Sequence, residues 1–140
     1  MKYLIIGAGG TGGVVGFHMA QAGKDVTLIA RDAHLERIQQ KGLTLQTMWD
    51  ENTKTIPVKA SDMQHYKDRP DVILVCVKGY SLDGIYEFIR RIAKPQTIVI
   101  PILNIYGTGA KMQEKLPGML VTDGCIYVSA NIKEPGVILQ

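Results

Sequence analysis

A cluster of glycines, Gly7-Ala8-Gly9-Gly10-Thr11-Gly12, interrupts the chain almost at its start and restricts what its first elements can become. The spacing is G-x-G-x-x-G, a weak signal until its flanks are read. Lys2 to Ile6 is a short apolar run that predicts a strand, and Thr11 to Ala22 has helix-like content closed by Gly23, a favourable residue just past a helix end. Asp25 to Ala30 is a second β-branched run, so strand, tight turn, helix and strand make a complete βαβ unit. In that setting Gly7 permits the sharp turn, Gly9 lets the backbone approach a pyrophosphate, and Gly12 lets helix and strand pack closely. The helix start also directs unpaired N–H groups and about half a positive charge at an anion. The plainer alternative is that Gly12, Gly13 and Gly16 only allow tight packing, which would justify the ~1 kcal/mol that a mid-helix glycine costs relative to alanine. The position of the turn between strand and helix favours a dinucleotide.

The end of the second strand bears on which dinucleotide. An NAD-preferring site places an Asp or Glu there to accept hydrogen bonds from ribose hydroxyls, whereas this strand ends in Ala30-Arg31. A guanidinium cannot accept those bonds but can hold a 2′-phosphate through parallel N–H donors, so NADPH is the expected cofactor. The competing assignment leaves Arg31 solvated and makes Asp32 the ribose acceptor. It is disfavoured because Asp32 is also the natural N-cap of a helix running to Gln40, before Gly42.

Beyond this unit, Leu43 to Thr47 and Thr55 to Val58 flank the turn-like Asp50-Glu51-Asn52 and suggest a hairpin. Asp71 to Val77 is almost wholly apolar, as expected of a central parallel strand covered on both faces. Ser81 is placed to cap a helix to about Ala93, Thr97 to Ile102 reads as another buried strand, and a short helix is expected from Gly109 to Leu116. Met119 to Val121, Ile126 to Ala130 and Val137 to Leu139 read as further strands, the last after the Glu134-Pro135-Gly136 turn. Together these predict an α/β chain with one doubly wound, mostly parallel Rossmann-like sheet and a small β-hairpin elaboration, residues 1–140 forming one domain.

Composition agrees and excludes other classes. The 140 residues suit a single core, and 46% hydrophobic with 21% charged residues is the balance of a globular protein. Sixteen basic against thirteen acidic residues are scattered, with no run that could track a nucleic-acid backbone. Cys76 and Cys125 make no disulfide framework, and His18, His34 and His65 lack ligand spacing, so no metal site is expected. Lys2 before an apolar stretch and Ala20-Gln21-Ala22 imitate a signal peptide, but six glycines from Gly7 to Gly16 make a poor hydrophobic region. No stretch reaches the ~20 apolar residues of a membrane span, and a cytoplasmic location is expected.

In order and spacing, the Gly7 to Gly12 turn, Val26-Thr27-Leu28-Ile29-Ala30-Arg31, Val77-Lys78-Gly79-Tyr80, Leu103-Asn104 and Pro135-Gly136-Val137 resemble the N-terminal domain of the ketopantoate reductase (2-dehydropantoate 2-reductase) family. The resemblance covers the whole chain. It implies that Gly7, Ala8, Gly9, Gly10, Thr11 and Gly12 hold the cofactor and that Arg31 takes the 2′-phosphate of NADP. It further implies that Lys78 and Asn104 line the nicotinamide and substrate side, and that Ala130 gives a backbone contact to the cofactor. The implied reaction is NADPH-dependent reduction of 2-dehydropantoate, a small anionic 2-oxoacid, to pantoate on the way to pantothenate and coenzyme A. In the family the proton donor is a lysine of a second, helical domain, assisted by glutamate, asparagine and serine. This chain is therefore expected to be the cofactor-binding half, paired with that domain or in a homodimer. Ile105 follows Asn104 where the family usually has glycine, and Gln140 stands where histidine is common. Two other readings are a free-standing nucleotide-sensing module and a related dehydrogenase of another 2-oxoacid or opine-like substrate.

Overall fold

A computed structural model describes residues 1–77 and 82–140. Its main sheet has six parallel strands in the order β5-β2-β1-β6-β7-β8. These are β1 (Lys2–Ile6), β2 (Asp25–Ile29), β5 (Lys59–Ser61), β6 (Val72–Val75), β7 (Ile98–Pro101) and β8 (Leu120–Val121). Pleating sends alternate residues of β1 to opposite faces, so Leu4 and Ile6 join one core while Ile5 joins another. The first core is covered by α3 (Tyr86–Ile92) and α4 (Thr108–Lys115), through Phe88, Ile89, Ile92 and Met112. The second is covered by α1 (Gly10–Gln21) and α2 (Asp32–Lys41), through Val14, Phe17 and Ile38. This is the doubly wound arrangement that the alternation of runs predicts.

The β elaboration is larger than a hairpin. β3 (Leu43–Gln46) and β4 (Thr53–Ile56) pair antiparallel, as expected around the Asp50 turn. β3 also pairs in parallel with β10 (Val137–Leu139), which pairs antiparallel with β9 (Asn131–Glu134), giving a second sheet ordered β4-β3-β10-β9. Its buried residues Leu43, Leu45 and Ile138 pack in the same core as α1. A side chain at Gly13 would lie 2.7 Å from Ile138, so the second sheet rests directly on the first helix.

Two sequence expectations need correction. Residues 126–130 form no strand, because the Asn104 carboxamide engages both backbone groups of Ile126: Nδ2 donates to its carbonyl at 3.0 Å and Oδ1 accepts its N–H at 3.3 Å. Asp32 is not the N-cap of α2; Arg31 occupies that position without a side-chain cap, and Asp32 opens the helix with φ of 56°. β5, a segment for which the sequence offers no reading, is a strand through its parallel pairing with Thr27 to Ile29, far away in sequence. Ser81, the expected cap of the third helix, lies outside the described residues; helical structure there begins as a 3-10 turn at Asp83–Ile85.

Candidate cofactor site

The glycine turn leaves β1 at the carboxyl edge of the sheet, beside the point where strand order reverses between β1 and β6. That crevice is where open α/β sheets take ligands. Gly7 has φ of 104°, a left-handed conformation strained for any residue with a side chain, and its N–H still reaches the Ile29 carbonyl at 3.3 Å. A side chain at Gly12 would collide with the Gly7 carbonyl, so helix and strand end approach as closely as backbone allows. Gly9 is the N-cap of α1; a side chain there would meet nothing within 4 Å among the described residues, and the first turn holds no acidic residue. The amides of Gly10, Thr11 and Gly12 have no acceptor within a helix, so they are available to an anion. Open space at Gly9 and unopposed amides fit a diphosphate.

The other candidate residues come from distant parts of the chain. The Ala130 carbonyl lies against Gly10, where it would meet any side chain, so the loop before β9 forms one wall of the turn. Arg31 is exposed, two residues past the strand that Gly7 bonds, and its guanidinium has no hydrogen-bond or ion-pair partner among the described residues. Asn104 follows β7 on the same edge, but its carboxamide is engaged with Ile126 and with the Cys125 thiol, which lies 3.2 Å from Oδ1. Its direct role is therefore to fasten the loop that leads to Ala130. Lys78, with Gly79 and Tyr80 of the same motif, lies outside the described residues. Cys76 packs below the turn, and burial pushes its thiol up to about 12, which keeps it protonated and unreactive at neutral pH.

A sequence model described as "Ketopantoate reductase PanE/ApbA" matches residues 3–140. The chain belongs to the ketopantoate reductase family. A curated 2-dehydropantoate 2-reductase from Pyrococcus horikoshii is 34% identical over 144 residues, which span 99% of this chain and 44% of that protein. The crystal structure of 2-dehydropantoate 2-reductase from Porphyromonas gingivalis is 31% identical with a TM-score of 0.86, covering 99% of this chain and 50% of that one. A ternary structure of D-mandelate dehydrogenase with NADH and anilino(oxo)acetate shares the fold at a TM-score of 0.88 and 24% identity, over 99% of this chain and 45% of its own. The chain thus spans about half the length of these relatives. Among its described residues no helix is long and apolar enough to cross a membrane.

Sequence reasoning missed one residue of this ketopantoate reductase domain. His34, on α2, has its Nε2 2.7 Å from the Ala8 carbonyl inside the glycine turn and its Nδ1 2.9 Å from the Gly136 amide. A single histidine on a helix gives no warning of this, because both partners are backbone groups supplied by other elements.

Proposed function

We propose that the chain is the cofactor-binding half of an NADPH-dependent reductase that converts 2-dehydropantoate to pantoate. The observation that carries this reading is the open, glycine-lined turn with unopposed amides, in a chain matched almost end to end by the ketopantoate reductase family. The amides of Gly10, Thr11 and Gly12 would hold the diphosphate, and the unpartnered Arg31 guanidinium would take the ribose 2′-phosphate. Ala130 would border the cofactor through its backbone, Lys78 would line the nicotinamide and substrate side, and Asn104, its carboxamide bonded to Ile126, would border that side while fastening the loop to Ala130. The chemistry a bound nicotinamide supplies is hydride donation to the ketone; the residues of this chain orient the donor and form one wall that excludes water.

One observation favours a second reading of cofactor choice. Asp32 is free of the capping role that would have occupied it, so its carboxylate is available to ribose hydroxyls, as NADH would require. Titration of the chain with NADPH and NADH, followed by calorimetry, separates the two. Tighter binding of NADPH is expected; a preference for NADH assigns the site to Asp32, and no binding of either removes the proposal.

A further inference from the structure

The two contacts of His34 fix its chemistry. The Gly136 N–H can only donate, so Nδ1 must be an unprotonated acceptor; the Ala8 carbonyl can only accept, so Nε2 must carry the proton. The ring is therefore the neutral Nε2–H tautomer, with both nitrogens satisfied.

The Nε2–H bond acts on the Ala8–Gly9 peptide. That unit is planar and trans, so holding the Ala8 carbonyl toward α2 turns the Gly9 N–H the opposite way. Gly9 has no side chain to restrain this peptide, and the place a Cβ would take is open, so the histidine is the side chain that fixes the plane from the Ala8 side. On its other side the ring holds Gly136, whose carbonyl accepts the Thr44 N–H at 2.8 Å, extending the chain of bonds into the second sheet.

We infer that His34 is a positioning residue for the diphosphate, setting through Ala8 the direction in which the Gly9 amide is presented. This rests on the reading that the turn holds a dinucleotide. A histidine serving only as a clip between α2 and the Gly136 turn would act through Nδ1, and its loss would be felt in stability alone. The positioning role belongs to Nε2.

Two substitutions divide the functions. His34→Gln keeps a donor near Nε2 and gives up the Nδ1 acceptor; His34→Asn keeps an acceptor near Nδ1 and is too short to reach Ala8. Calorimetric titration of the 140-residue chain should find NADPH affinity within about twofold of wild type for His34→Gln and weakened about tenfold for His34→Asn, the scale of one lost hydrogen bond. Thermal melts of both variants are run alongside. Equal affinities in the two variants, or affinity losses that follow the melting temperatures, overturn the inference. Wild-type protein gives an independent measurement: nitrogen-15 spectra should show the Nε2–H tautomer and a Gly9 amide strongly displaced by NADPH. The other tautomer, or an unmoved Gly9 amide in protein that binds NADPH, also overturns it. Wild type that fails to bind NADPH removes the cofactor reading itself, a result distinct from either variant outcome.

Discussion

Arg31 combines two circumstances that make a side chain informative to remove: it is exposed and its guanidinium has no protein partner among the described residues. Arg31→Ala should therefore leave stability within about 0.5 kcal/mol of wild type, as surface changes generally do. If the guanidinium holds the 2′-phosphate with about 3 kcal/mol, the same change weakens NADPH binding roughly a hundredfold and leaves NADH almost unaffected. Equal losses for both cofactors would assign Arg31 no part in choosing between them. The neighbouring residue shows where residue-level rules mislead. Asp32 has the composition of an N-cap, yet Arg31, extended two residues past β2, holds that position, and Asp32 opens the helix in a left-handed conformation. His34 could not be read at all: the contacts that define it involve no side chain but its own, so its partners leave no trace in the amino-acid letters.

At the scale of elements, the strands buried on both faces were legible because they need no neighbour to identify them. Val72 to Val75 is such a run, and its pairing with Tyr3 to Ile6 follows from alternation of strands and helices. β5 was illegible for the opposite reason, since Lys59–Ser61 carries no apolar pattern and exists as a strand only beside Thr27 to Ile29. Residues 126–130 have β-branched content and still form no strand, because Asn104 takes the backbone groups of Ile126 that a neighbouring strand would need. The start of β6 depends on charge as well as pattern. Asp71 accepts a bond from the Lys94 ammonium and, at 2.7 Å, from the Lys2 backbone N–H, joining the beginnings of β1 and β6 to the connection before β7. These bonds, that from Lys94 foremost, hold the Asp71 carboxyl below the ordinary carboxylate range. A carboxyl depressed in the folded state contributes stability above its unfolded value, and that contribution disappears as pH falls through the folded one. The melting temperature should accordingly fall below about pH 4. Asp71→Asn should lower it at neutral pH and flatten the acid limb, whereas an unchanged limb would locate acid sensitivity at other carboxylates.

On the proposed function, the molecule as a whole supplies one wall of a cleft. Hydride transfer needs a ketone oriented over the nicotinamide with water excluded, and a single Rossmann domain encloses only one side of that space. The 140-residue chain is therefore expected to bind NADPH without consuming it: added 2-dehydropantoate should leave the absorbance of the reduced cofactor unchanged. At cofactor concentrations about a hundred times Kd the melting temperature should nevertheless rise, by linkage worth about 2.7 kcal/mol. Turnover by this chain alone would mean that its own residues provide the proton.

β10 is remote in sequence from the glycine turn, yet Ile138 is fully buried beneath α1 and Gly136 is bonded to His34. The glycine turn and its backing strand are thus joined only by contacts between distant parts of the sequence. During synthesis the turn therefore lacks this backing until residues 131–139 have emerged. On the proposed function, competence to capture a nucleotide waits on the docking of β10 against β3.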